Sequence, residues 1–315
     1  MYILGAGLAG CLAAISNPKA IILEGNAKPT VSHKALLRMR TKAVSHLTGI
    51  PFKKVTVDKF IYDDDRGYQL TPTPFDIINY SRKVNSFISR RSITNMDPEV
   101  RYIPPPDFHY KLLKMLDGRI KYDSDITSIN EITISGSKTI YDREGVGVIS
   151  TIPLPVMLKA TNMGGDLDFT TESSDPIYVS RFLIDNCDLY MTIYYTSPDT
   201  DVYRATISGD LLTVESMMPI DFDAINCEID MVYRSFGDLE IIATLDQNFK
   251  QTLGKIRPID DDDRRNLLFQ LTRKFEIYSL GRFACWRQIL LDDVVHDIAQ
   301  ITKMINTHPY DRNKA

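Results

Sequence analysis

Between two apolar runs, Tyr2-Ile3-Leu4 and Ala20-Ile21-Ile22-Leu23, the chain places Gly5, Gly7 and Gly10. A strand that enters a helix through G-x-G-x-x-G needs a different service from each glycine. Gly5 makes the tight turn, Gly7 lets a pyrophosphate approach the backbone, and Gly10 lets the helix pack closely on the strand. The spacing predicts a helix over Leu8–Ser16, stopped at Asn17-Pro18, and a second strand ending in Glu24. Glu24 lies about 20 residues beyond Gly5, the distance at which a carboxylate meets an adenosine ribose. The free amides and positive dipole end of the helix N-terminus suit phosphate. This strand–turn–helix–strand unit predicts a dinucleotide site, and the fingerprint alone leaves FAD and NAD both open.

A chain of 315 residues has room for two domains, or for one domain carrying an insertion. Its net charge of −4 gives no general attraction to nucleic acid. No apolar run approaches the length of a membrane span, and the start lacks the basic and cleavage regions of a signal peptide, so the expectation is a cytoplasmic protein. Cys11, Cys187, Cys227 and Cys285 form no C-x-x-C pair. His33, His46, His109, His296 and His308 form no H-x-H or H-x-x-x-H pair, and no metal is expected.

Further along, residues 30–50 are polar and basic, with Arg38 and Arg40 two apart. Pro104 to Pro106 precede a helix predicted from about Phe108 to Leu116. Short strands follow at Ile120–Tyr122, Ile126–Ile129 and Ile132–Ile134, then a buried strand at Val146–Ser150. Residues 175–250 are β-rich and punctuated by turn residues, the pattern of an antiparallel sheet. Asp260 to Asp263 cap a helix whose buried stripe is Leu267, Leu268, Leu271 and Phe275. Asp292 and Asp293 open a last helix with Val294, Val295, Ile298, Ile301 and Ile305 on its apolar face.

Several segments, in order, resemble the amine-oxidase branch of the glutathione-reductase-like flavoproteins, which also holds protoporphyrinogen oxidase and UDP-galactopyranose mutase. They are the glycine triplet with Glu24, "PPPDFHYKLLKMLDGRIKYDSDITSI", "VGVISTIPLPVML" and "SLGRFACWRQILLDD"; "IYYTSPDTDVYRATIS" is loosely similar to the mutase strand pair. The resemblance implies an α/β protein, a Rossmann-like FAD-binding domain with an inserted antiparallel-sheet substrate domain. The FAD-binding parts fall at 1–50, 101–160 and 256–315, a substrate-domain or helical insertion at 51–100, and the antiparallel domain at 161–255. It implies FAD held by Gly5, Ala6, Gly7, Ala9, Gly10, Glu24, Arg38, Arg40, Ile126, Thr151, Gly281, Arg282, Asp292 and Val294. The final helix then points its N-terminus at the flavin. The sequence departs from the mutase at Gln288, where the mutase has an aromatic residue, and at Tyr203, where it has Thr.

The function this implies is oxidation of a C–N bond in an amine or amino-acid-like small molecule, by hydride transfer to flavin. Tyr194, Tyr203, Arg204 and Trp286 are the candidate substrate-pocket and catalytic residues, with Tyr195 beside them. The alternatives are a non-redox, mutase-like flavoenzyme acting on a sugar nucleotide, an NAD(P)-dependent dehydrogenase, and a flavin-binding protein without turnover. Compact members of this branch also occur in phages that hypermodify thymine, which adds a nucleic-acid-linked substrate, an amino-acid adduct of a DNA base.

Overall fold

The computed structural model describes residues 1–31, 33–85, 93–163, 174–185, 187–224, 228–257 and 259–307. Cys227, His308 and most of the expected frayed tail lie outside them. The chain opens with the unit that the glycines require. Strand β1 (Tyr2–Leu4) turns into helix α1 (Leu8–Ser16), and β2 (Ile21–Leu23) returns parallel to β1. Asn17 ends α1 by donating both its backbone N–H and its Nδ2 to Ala13 O. After α2 (Ala43–Thr48) the chain leaves on a first excursion: β3 (Lys53–Asp63), β4 (Gly67–Gln69), α3 (Pro74–Asn85) and β5 (Glu99–Ile103). It returns through α4 (Phe108–Met115) to β6 (Ile120–Lys121), beside β2. A small antiparallel sheet follows, β7 (Ile126–Ile129), β8 (Thr133–Gly136) and β9 (Ile140–Asp142). Next come β10 (Val148–Ser150), on the other side of β1, and α5 (Leu154–Ala160).

The second excursion is β11 (Ser174–Ile184), β12 (Tyr190–Tyr195), β13 (Val202–Ser208), β14 (Leu211–Ser216), α6 (Glu228–Arg234) and β15 (Ile241–Ile256). The chain closes with α7 (Asp261–Phe275), β16 (Ile277–Ser279) and α8 (Leu291–Thr307). Asp260 caps α7 as expected, accepting from the amides of Asp262 and Asp263 at 2.9 and 3.1 Å. Among the described residues no helix is long and apolar enough to cross a membrane.

The first sheet is parallel throughout, in the order β16-β10-β1-β2-β6. Helices α1, α4 and α8 cover one face, and α5, α7 and the small antiparallel sheet cover the other, which is why its strands read as short, unbroken apolar runs. Ile3, Leu4, Ile22, Val148 and Ile149 are all fully buried. The chain runs outward from β1 to β2 and later reappears as β10 on the opposite side. A crevice therefore opens beyond the C-terminal ends of β1 and β10, where such folds bind ligands.

The second sheet runs β15-β11-β14-β13-β12-β3-β4, with β5 on the first half of β3. It differs from the wholly antiparallel sheet expected. β12 lies parallel to β3, with Met191 opposite Asp58 and Tyr195 opposite Tyr62. The two strands belong to separate excursions from the first sheet, so no hairpin joins them and nothing forces antiparallel pairing. Residues 53–69 and 99–103 thus add strands to this sheet.

Candidate functional site

The turn after β1 is held from three sides. The Gly5 amide donates to Leu23 O at 2.8 Å. Thr151, just past β10, donates its backbone N–H to Leu4 O at 2.9 Å and its Oγ1–H to the same oxygen at 2.7 Å. The Ala6 amide donates to Glu24 Oε2 at 2.6 Å. Gly5 has φ 93°, a region that favours glycine, and a Cβ there would lie 2.6 Å from Thr151 Oγ1. A Cβ on Gly10 would lie 1.9 Å from Gly5 O, so α1 packs directly on the turn. Around Gly7 nothing lies within 4 Å of an added Cβ. Gly7 is also the N-cap of α1 and has no side-chain cap, so the first amides of the helix face open space. The three glycines therefore have the three environments that a pyrophosphate cradle needs.

Glu24 braces this turn. Its Oε2 takes the Ala6 amide, and its Oε1 accepts from the Asn26 amide at 2.9 Å and Asn26 Nδ2 at 2.7 Å. His109, on α4, reaches the same turn, with Nε2 3.2 Å from Ala6 O. A carbonyl only accepts, so Nε2 carries the proton and Nδ1 is left with a lone pair. That Nδ1 is buried, has no hydrogen-bond partner and belongs to a residue on the cavity wall. Cys11 also donates to Ala6 O, and burial followed by Glu24 pushes its thiol up to about 12, which makes it inert packing.

From this turn a cavity of about 530 Å³ runs to the second sheet, within the usual range for small-molecule sites. It brings together seven of the expected cofactor residues: Gly7, Ala9, Arg38, Thr151, Gly281, Arg282 and Val294. Gly281 has φ 92° and sits so near α1 that a Cβ would lie 2.9 Å from Ala9 Cβ. Gly5, Ala6, Gly10 and Glu24 form the turn just described. Arg40, Ile126 and Asp292 do not line the cavity. Asp292 accepts from the Arg40 amide (2.7 Å) and Thr41 Oγ1 (2.7 Å), while Arg40 Nη2 pairs with Asp293 at 2.7 Å. These residues pin residues 40–41 to the start of α8. Ile126 begins the small third sheet.

The candidate catalytic residues are also off the cavity wall. Tyr194 packs edge-on against Tyr80, centroids 5.6 Å apart. Tyr203 is fully buried with its hydroxyl unpaired, and Lys255 Nζ sits 3.9 Å from its ring centre. Arg204 is ion-paired with the buried Glu215. Burial alone pushes the Glu215 carboxyl up; Arg204 outweighs it and holds it below the usual range. Trp286 is buried and donates Nε1–H to Arg257 O at 3.0 Å, away from the cavity.

The wall also contains residues that the sequence did not single out. Phe249 to Gly254 of β15 form its roof. The segment opposite is stitched to that strand: Gln251 Oε1 accepts from the Lys34 and Ala35 amides, and Lys34 pairs with Asp246 at 3.4 Å. His33 lies on this segment with Nε2 buried and unpartnered. Burial, opposed by Glu215, lowers its pKa to about 4, so the imidazole is neutral at physiological pH. Arg38, Lys250 and Arg282 line the cavity, and among the described residues no Asp or Glu does. Neither feature has a sequence signal: His33 sits in an aperiodic loop, and Lys250 lies in an ordinary alternating strand.

No family model matches the chain, and no curated protein matches it. Solved structures do. The fold is similar to that of a reduced UDP-galactopyranose mutase, with a TM-score of 0.68 and 14% identity over 98% of this chain and 94% of that chain. It is similar to a CLA-producing fatty acid isomerase from P. acnes, with a TM-score of 0.61 and 12% identity over 96% and 97% of the two chains. An oxidoreductase from Methanosarcina mazei matches with a TM-score of 0.57 and 10% identity over 96% and 99%. What the chain shares with them is the fold, a parallel α/β sheet joined to a second, mixed sheet.

Proposed function

We propose that the chain is an FAD-dependent oxidoreductase that oxidises a C–N bond of an amine or amino-acid-like substrate. The observation that carries this reading is a cavity joining an open glycine cradle to a wall that holds cations and the neutral His33. The cradle fits FAD: Gly7 leaves room for phosphate, the first amides of α1 face it, and His109 Nδ1 offers a buried acceptor without a partner. The turn residues Gly5 to Gly10 would hold the pyrophosphate, and Gly281, Arg282 and Val294 the part reaching toward the second sheet. Bound FAD would supply the hydride acceptor for a carbon next to nitrogen.

The chain's own residues prepare the amine. An ammonium group cannot release hydride from its neighbouring carbon, so the nitrogen must be neutral. A cavity lined by Arg38, Lys250 and Arg282, with no carboxylate among the described residues, lowers the pKa of a bound amine. The proton leaves to solvent as the amine enters, His33 Nε2 offers the neutral amine a hydrogen-bond acceptor, and Phe249 and Leu253 add apolar wall. The test is anaerobic reduction of the bound flavin by a panel of amines and amino acids. Bleaching of the flavin band by at least one supports the reading; no bleaching by any contradicts it. The same cationic wall favours a second reading, a mutase-like reaction on a sugar nucleotide, whose diphosphate the cations would match. That reading predicts turnover only after chemical reduction of the protein.

A further inference from the structure

We infer that Arg38 anchors an oxyanion, so that the molecule processed in this cavity carries a carboxylate or a phosphate. The inference deepens the proposed function and rests on its assignment of the cavity as the reaction chamber. Arg38 donates Nη1–H to Thr192 Oγ1 at 2.7 Å and Nη2–H to Ser208 Oγ at 3.5 Å. Both acceptors stand on the second sheet, so the guanidinium points away from the glycine turn. Its Nε is buried and has no acceptor. Among the described residues no carboxylate oxygen lies within 4.0 Å of it.

Other enclosed arginines of the molecule are compensated. Arg204 pairs with Glu215, Arg101 with Glu99 and Arg181 with Asp246. Arg119 and Arg143 are satisfied by backbone carbonyls, including those closing α1 and α7. Arg38 alone among these has only two neutral hydroxyls, and it faces a cavity. Hydroxyls orient a guanidinium without neutralising it, and a desolvated cation without a counter-charge is costly. Its neighbourhood makes this worse. Burial first, and then Arg204, pull its pKa down to about 9, with Arg101 acting in the same direction. The nearby Glu215 gives Oε2 to Arg204, and although its Oε1 has no hydrogen-bond partner neither oxygen comes within 4.0 Å of Arg38. An anion entering from the cavity removes this imbalance, and a guanidinium fork matches the geometry of carboxylate and phosphate alike.

The experiment is calorimetric titration of the FAD-loaded protein with acetate and, separately, inorganic phosphate, at constant ionic strength set by chloride. Whichever of the two binds more tightly identifies the head group. Arg38→Gln is expected to weaken that anion at least tenfold while FAD affinity stays within threefold. Should that variant fail to fold, Arg38→Lys is expected to weaken it at least threefold, because an ammonium lacks the planar fork. Thr192→Val, which removes the orienting hydroxyl and leaves the charge, is expected to weaken it as well. The inference is overturned if neither anion binds wild type, or if binding is unchanged in the folded variants. It is also overturned if FAD affinity falls in step with anion affinity, since Arg38 would then serve the phosphates of the cofactor. Titrating the flavin-free protein separates the two levels. Arg38-dependent anion binding in a chain that takes up no FAD sinks the cofactor reading and leaves the anchor standing.

Discussion

Removing the Glu24 carboxylate separates bracing of the turn from contact with a ligand. In Glu24→Ala the Ala6 amide loses its acceptor at 2.6 Å, and Ala6 is buried. A buried donor that loses an ionised partner costs about 1.5–3 kcal/mol. The two Asn26 donors are exposed and turn to water, adding little. Unfolding entropy runs at about 2.1 cal/mol/K per residue, so a chain of 315 residues loses about 2–5 °C in Tm. The loss must appear in protein stripped of any ligand, because the bond exists without one. Glu24→Gln keeps one acceptor oxygen and should lose less. The assay is a thermal melt of apoprotein followed by FAD titration. An apoprotein Tm equal to wild type would refute the bracing argument and leave Glu24 only its ribose contact.

The glycines make a paired prediction: Gly7→Ala has room for its methyl and should keep the wild-type apoprotein Tm yet bind FAD at least tenfold more weakly, whereas Gly10→Ala drives a Cβ to 1.9 Å from Gly5 O and should be recovered largely unfolded. Circular dichroism and FAD titration read both. His33 has a folded pKa of about 4 against the ordinary imidazole value of 6.5, so the unfolded chain protonates first as pH falls. Its share of stability is full above about pH 6.5 and is lost between there and about pH 4, a slope that His33→Phe should flatten in urea melts. Trp286→Phe loses the bond to Arg257 O and leaves part of a buried site unfilled, about 1–3 kcal/mol together, and should leave FAD affinity unchanged by titration.

How much of this was legible in sequence follows from which signals are local. The unit from Tyr2 to Leu23 was readable because its glycines, the Asn17-Pro18 stop and its apolar runs each act within a few residues of themselves. The pairing of β3 with β12 was not, since it joins residues some 130 apart with no turn between them. Strand β13 is buried on both faces, so alternation could not say which of Tyr203 and Arg204 would turn toward a cavity. The cavity wall at Phe249–Gly254 reads in sequence as an ordinary edge strand. His33 and Arg38 acquire meaning only from what the fold leaves unpaired beside them.

The central claim is that the glycine cradle and the adjoining cavity hold FAD. Its most direct measurement is the absorption spectrum of the purified protein, before and after denaturation, with chromatography of whatever is released. The account predicts a yellow protein, or an apoprotein that takes up FAD at micromolar concentration, releasing FAD in near-equimolar amount on unfolding. A colourless protein that fails to take up FAD and instead binds a nicotinamide dinucleotide would contradict it.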